Sequence, residues 1–194
     1  MKVCNWLSLP LQALGCCILY LVIEAFSRHS LASAWSYMVE SPWVFLYNAF
    51  LIFTTFMVVY LFRRRVLVRL VMSCFWLLLG IINGVILANR VTPFTGPDLR
   101  NLSDGAKVVT KYLSKGTMIL VAAALVALLA FFVWAWIKGP KFQGKIRWYL
   151  NVPLIALVIV LFTGATNLAL AKRVLSSYFV NIAFAYQDYG YPYC

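Results

Sequence analysis

Apolar residues arrive in five long blocks separated by short polar breaks. The blocks run at about 7–26, 43–62, 66–88, 117–137 and 152–171. Each is close to the roughly 20 residues that a helix, rising about 1.5 Å per residue, needs to cross the hydrocarbon of a bilayer. A segment in lipid must satisfy its own backbone hydrogen bonds, so the blocks are predicted to be helices. The expected fold class is an all-α integral membrane domain with five transmembrane helices and amphipathic interfacial helices in the outer loops.

The breaks differ in charge density. Arg63, Arg64 and Arg65, with Arg69, fill a very short turn, and Lys138, Lys141, Lys145 and Arg147 fill another short loop. Dense cations in short loops mark the cytoplasmic side, which gives an N-in, C-out chain. A bare count hardly discriminates, with nine cations inside and eight outside. Density does, because five of the outer cations are spread over the 26 residues of 90–115. The first block, with Lys2 before it and Ala32-Ser33-Ala34 after it, has features of a signal peptide. Its apolar run exceeds the usual h-region of about 7–15 residues, so it reads as an uncleaved anchor.

The outer loop 90–115 opens on Thr92-Pro93-Phe94-Thr95-Gly96-Pro97, a turn that cannot continue a helix. Beyond it Leu99, Leu102, Ala106, Val109 and Leu113 keep helical spacing, with Arg100, Asp104, Lys107 and Lys111 on the opposite side. This predicts an amphipathic interfacial helix over about 98–115, with Ser103 able to cap a second piece. Two readings stand side by side. The lysines are simply solvated, or Arg90, Arg100, Lys107 and Lys111 hold lipid phosphate headgroups. In the milder connection 27–41, Leu31, Trp35 and Met38 share a face, and Trp35, Tyr37 and Trp43 suit the aromatic belt of a membrane interface.

Polar residues inside the blocks are few. Glu24 lies near the outer end of the first, within reach of water. Gly80 and Gly84 form a GxxxG around Asn83, a pattern for close helix packing. Asn48, Thr163, Thr166 and Asn167 are candidates for interhelical hydrogen bonds. No block carries the file of charges of a proton pump or the arginine ladder of a voltage sensor.

Composition agrees with this pattern. The 194 residues are 64% hydrophobic and 11% charged, and the mean hydropathy is +0.88. That excludes an ordinary soluble enzyme, whose charged share is about 25%. The net charge of +12 would suggest nucleic acid in a soluble chain. Here it is assigned to topology and to anionic lipid, because no basic segment is interleaved with base-stacking aromatics.

Catalytic chemistry is sparse. The five cysteines include no CxxC, His29 is the single histidine, and the five carboxylates are scattered. No metal site, no catalytic set and no phosphate-cradling loop is expected in this chain. Residues 174–194 are aromatic and expected to be extended, with nothing to pack on. They read as an extracytoplasmic stalk after a membrane domain at 1–173, leading to a domain beyond residue 194.

Five N-in blocks, the outer TPFTGPDL of residues 92–99, KYLSKG at 111–116 and the closing NIAFAYQDYGYPYC at 181–194 resemble the membrane domain of lipoteichoic acid synthase-like proteins. Thr92, Pro93, Phe94, Asp98, Lys111 and Tyr112 match the outer-loop pattern, whereas Thr95-Gly96-Pro97 departs from it. The resemblance implies a plasma-membrane protein of a Gram-positive-type bacterium. It also implies an extracytoplasmic catalytic domain of the sulfatase and alkaline phosphatase superfamily. Such a domain uses a threonine nucleophile and manganese or magnesium to move glycerol phosphate from phosphatidylglycerol. None of those catalytic residues falls on this chain. The implied partners are anionic, phosphatidylglycerol-like lipids and the chain's own catalytic domain. A non-enzymatic membrane scaffold, a small transporter subunit and a lipid-modifying enzyme with an intramembrane site remain as rivals.

Overall fold

The computed structural model describes residues 8–100, 115–139, 148–176, 178–179 and 181–193. Every element among them is helical: α1 (Ser8–Ser27), α2 (Leu31–Glu40), α3 (Pro42–Phe56, continued by a 3-10 turn at Met57–Leu61), α4 (Arg65–Leu87), α5 (Gly96–Arg100), α6 (Lys115–Lys138), α7 (Trp148–Ala171) and α8 (Ile182–Tyr189). Among the described residues four stretches are long and apolar enough to cross a membrane: Ser8–Ser27, Pro42–Leu61, Arg65–Leu87 and Trp148–Ala171. The block expected at 117–137 is helical as α6. Lys107, Lys111, Tyr112 and most of the amphipathic helix expected over 98–115 lie outside the described residues. So do Lys141, Lys145, Arg147, Cys4 and Cys194.

α1 is the hub, packed most extensively on α4 and then on α3 and α2. α7 leans on α3 and its 3-10 turn, and α6 touches α4. Tyr20, Ile23, Phe45 and Ile52 form the centre of the core. Outward faces are apolar as well, with Leu14 and Ile18 on α1 and Val160 and Leu161 on α7 all at least half exposed. A water-soluble protein rarely leaves such a belt bare, whereas lipid covers it.

Small residues permit the α1–α4 contact. A Cβ on Gly84 would lie 2.7 Å from the Phe26 carbonyl oxygen, and one on Gly80 would lie 3.1 Å from the Ile23 side chain. Between them Asn83 is fully buried. It donates to Ser27 Oγ at 2.9 Å and accepts from the Phe94 amide at 2.8 Å, so one amide ties α1, α4 and the following loop together. At the other end α7 begins at Trp148, ahead of the expected start at 152, and Asn151 donates to the Tyr60 carbonyl at 2.8 Å.

Helix starts follow local chemistry. Ser30 caps α2 by accepting from the Ser33 amide, and Pro42 opens α3, where its missing N–H costs nothing. α2 turns Ala34 and Tyr37 inward and leaves Leu31 and Trp35 exposed, as an interfacial helix does. The chain's last segment departs from its expected extended form. Residues 182–189 fold as α8, started by Asn181 accepting from the Ala183 amide, and the segment packs into one end of the bundle.

Candidate functional site at the tail end of the bundle

Glu24, placed by the sequence within reach of water, has a wholly buried side chain, and both its carboxylate oxygens are used. Oε2 accepts from Arg28 Nε at 3.0 Å, one turn along α1, and Oε1 accepts from the Tyr191 amide at 3.1 Å. Arg28 then donates from Nη2 to the Gln187 carbonyl at 2.8 Å while its guanidinium lies 4.1 Å from the centre of the Tyr37 ring. Asn48, fully buried on α3, donates to the Tyr189 carbonyl at 2.7 Å. Tyr186 returns the contact from α8, donating its hydroxyl to the Ser27 carbonyl at 3.0 Å.

The logic of this cluster lies in the end of α8. The last carbonyls of a helix have no partner within it, and the helix dipole makes them a preferred site for a cation. Arg28 and Asn48 serve the carbonyls of residues 187 and 189 in α8, and Glu24 takes the first amide after the Gly190 cap. The bundle therefore grips the tail by its backbone. Aromatic rings complete the seat. Tyr47 stacks on Phe162 of α7 and meets Tyr193 edge-on, and its hydroxyl pairs with Thr166 at 3.0 Å. Burial, reinforced by the Glu24 carboxylate, pushes the Tyr186 phenol up to about 12. Burial, reinforced by the Asp98 carboxylate, does the same for Tyr191.

A second clasp holds the loop after α4. Arg90 donates Nη1 to Asp98 Oδ1 at 2.9 Å, Nη2 to the other carboxylate oxygen, Nε to the Thr92 carbonyl at 3.0 Å and Nη2 again to the Pro93 carbonyl at 2.9 Å. Asp98 also accepts from the Thr95 amide and hydroxyl. The sequence-predicted loop residues Thr92, Pro93 and Asp98 thus come together around one arginine, while Phe94 is tied to Asn83 through its amide. Arg90, a candidate for lipid phosphate, directs its donors into its own loop. Arg100 stands exposed at the end of α5.

The hydrogen bond from Arg90 holds the Asp98 carboxyl down to about 2, helped by Thr95 and opposed by partial burial. A carboxyl depressed in the folded loop stabilises it above its ordinary value of 3.8. That stabilisation is lost as pH falls toward about 2. Acid titration followed by amide exchange at Thr95 and Phe94 is expected to show the loop opening in that window. Asp98→Asn should remove the pH dependence. An unchanged profile in Asp98→Asn would show that another group governs the opening.

Two spaces adjoin these clasps. A polar hollow of about 440 Å³ lies among Ser27, His29, Asn89, Arg90 and Tyr186. Arg28 beside it is paired with Glu24 and Arg90 with Asp98, so the hollow offers hydrogen bonds more than net charge. An apolar groove of about 630 Å³ runs between Trp43, Leu46 and Phe50 of α3 and Leu168 of α7, with Lys172 at its rim. Among the described residues no three of His, Cys, Asp and Glu come together as a metal site.

Sequence reasoning missed Glu24 and Arg28 as a functional pair. A signal was present: Glu24 is the one acidic residue inside an expected span, and Arg28 follows at i+4. Asn48 was legible as a hydrogen-bonding residue, but its partner at position 189 was not. Compared with protein-family models, curated proteins and solved structures, the chain matches none.

Proposed function

We propose that the chain is the multi-pass membrane domain of a lipoteichoic acid synthase-like phosphoglycerol transferase. In this reading α6 is a fifth span, the N-terminus is cytoplasmic, and the tail end of the bundle faces outward in a bacterial plasma membrane. The domain anchors the catalytic domain that follows such a segment in enzymes of that kind, and it brings anionic lipid to it. The observation that carries the reading is the grip on residues 186–191 by Glu24, Arg28 and Asn48. A single span would suffice as an anchor. A seat for the tail's backbone gives the outer face a further role, setting where and at what angle the following domain stands.

Two features support the lipid part. The groove beside Trp43 and Phe50, about 630 Å³ with apolar walls, suits an acyl chain, and Lys172 among its lining residues suits a phosphate. Arg100 stands exposed in the loop after α4, and the sequence supplies Lys107 and Lys111 as further cations of that loop. The Arg90–Asp98 clasp supports the family reading, since Thr92, Pro93 and Asp98, three of the residues that carry the resemblance, act together in it. No nucleic acid partner is proposed, and no catalytic residue is placed on this chain.

The test is transfer of labelled glycerol phosphate from phosphatidylglycerol in a bacterium that lacks its own transferase and expresses the full-length gene product. Labelled polymer is the expected result. Absence of transfer, with the protein in the membrane, would overturn the reading in favour of a non-enzymatic scaffold or transporter subunit.

A further inference from the structure

The opposite end of the bundle holds a second built site. Arg69 of α4 reaches across to α1, donating Nε to Gln12 Oε1 at 3.2 Å and Nη2 to Ser8 Oγ at 2.8 Å. The Ser8 hydroxyl also pairs with Tyr60 at 3.1 Å. Because Gln12 spends its oxygen on Arg69, its Nε2 points elsewhere. That nitrogen is buried and has no hydrogen-bond partner among the described residues, although Gln12 is only 6% exposed. An unmet buried donor is costly, so it marks a place where an acceptor belongs. Gln12 and Arg69 line a cleft of about 260 Å³ between α1 and α4, with apolar walls from Leu11, Leu19 and Phe56.

We propose that this cleft binds an anionic phospholipid, its phosphate held by Arg69 and Gln12 and its acyl chain lying along α1 over Gly15. The Arg69 guanidinium and Gln12, with its unmet Nε2 donor, both line the cleft, a pairing that favours an oxyanion. The apolar walls, and Leu11 exposed beside them on the lipid-facing side of α1, select a lipid over a free anion. Arg63, Arg64 and Arg65 stand at the same end and concentrate anionic headgroups near the cleft. Gly15 supplies the notch, for a Cβ there would meet nothing within 4 Å. The site lies at the arginine end and is independent of any role of the tail end.

The test uses the purified full chain in nanodiscs containing phosphatidylglycerol with a photoreactive acyl chain, the adducts being mapped by mass spectrometry. Labelling is expected on α1 and α4 around Gln12 and Arg69, and phosphatidylcholine carrying the same group should label there about tenfold less. Gly15→Leu adds a side chain whose Cβ meets nothing within 4 Å, so it narrows the cleft at its open side and should lower labelling by a similar factor. So should Arg69→Gln. Arg63→Gln, on an exposed cation outside the cleft that only adds to the local concentration of anionic lipid, should lower labelling much less than Arg69→Gln does. Equal labelling of Gly15→Leu and the parent chain would overturn the proposal, as would a loss in Arg63→Gln as large as in Arg69→Gln. Displacement by millimolar inorganic phosphate would instead identify a free-anion site and also overturn it.

Discussion

Glu24→Ala is expected to free the tail from the bundle while leaving the spans intact. The substitution removes the acceptor for Arg28 Nε and for the Tyr191 amide at once. Removing one partner of a buried ion pair costs about 3–5 kcal/mol, because the other charge is left without compensation. Arg28 is 17% exposed and keeps its bond to the Gln187 carbonyl, which favours the lower end of that range. About 3 kcal/mol corresponds to an opening equilibrium raised by roughly two orders of magnitude. Hydrogen exchange in nanodiscs should therefore show amides of residues 183–191 exchanging about a hundred times faster, with those of α1 and α4 unchanged. Glu24→Gln keeps one acceptor and should fall between. Unaltered tail protection in Glu24→Ala would remove Glu24 from its assigned role. If the proposed function is right, the same variant also loses glycerol phosphate transfer without losing membrane insertion.

Gly190→Ala should have an effect of similar size by a different route. Gly190 sits at φ 80° and ψ 159°, a conformation almost exclusive to glycine. A Cβ there would collide with the Tyr20 hydroxyl and would stand 2.9 Å from the Tyr37 hydroxyl and 3.0 Å from Asn48 Nδ2. These three polar groups belong to α1, α2 and α3, so relieving the collision in one place disturbs the others. Backbone strain of about 1–3 kcal/mol adds to the collision and to loss of the Asn48 bond to the tail. The sum is expected to be at least 3 kcal/mol on docking of the tail, read by the same exchange experiment and by faster proteolysis between α7 and α8. Gly164→Ala is the control. A Cβ at Gly164 meets nothing within 4 Å, so that variant should be neutral or slightly stabilising. A Gly190→Ala tail as protected as the parent's would mean that the seat tolerates a side chain that the geometry rejects.

Both effects converge on a feature that sequence reading passed over. An aromatic segment such as 181–193, with no span-length apolar block, gives no periodic signal about what it will touch. Its partners lie up to 167 positions away in the chain, as in the contact of Tyr191 with Glu24. The bundle also binds the tail mainly through backbone atoms at 187, 189 and 191, which carry no side-chain signature. The loop motif was different. Arg90 was singled out as a cation for lipid phosphate, and Thr92, Pro93 and Asp98 by the resemblance of the loop; all four lie within nine positions, and a clasp between such near neighbours needs little tertiary context. What changed was Arg90's role, from a free cation to the core of its own turn.

The helices themselves were legible along the chain. Apolar blocks of about 20 residues leave the backbone no option in lipid except a helix. Their ends are written in prolines, serines and arginines next to each block, so the described spans begin and stop within a few residues of the expected positions. Gly80, Asn83 and Gly84 likewise announced a place of close approach. Tertiary structure alone decided which polar residues are consumed inside the fold and which are left over. Glu24, Arg28 and Arg90 are satisfied by distant or backbone partners, whereas Asn48 donates to two carbonyls yet keeps an unmet oxygen, and Gln12 keeps an unmet donor beside a cleft. Hydropathy is a property of each segment and survives in the order of residues. Hydrogen-bond satisfaction is a property of atoms brought within about 3 Å of each other, and only the packing of helices determines which atoms those are.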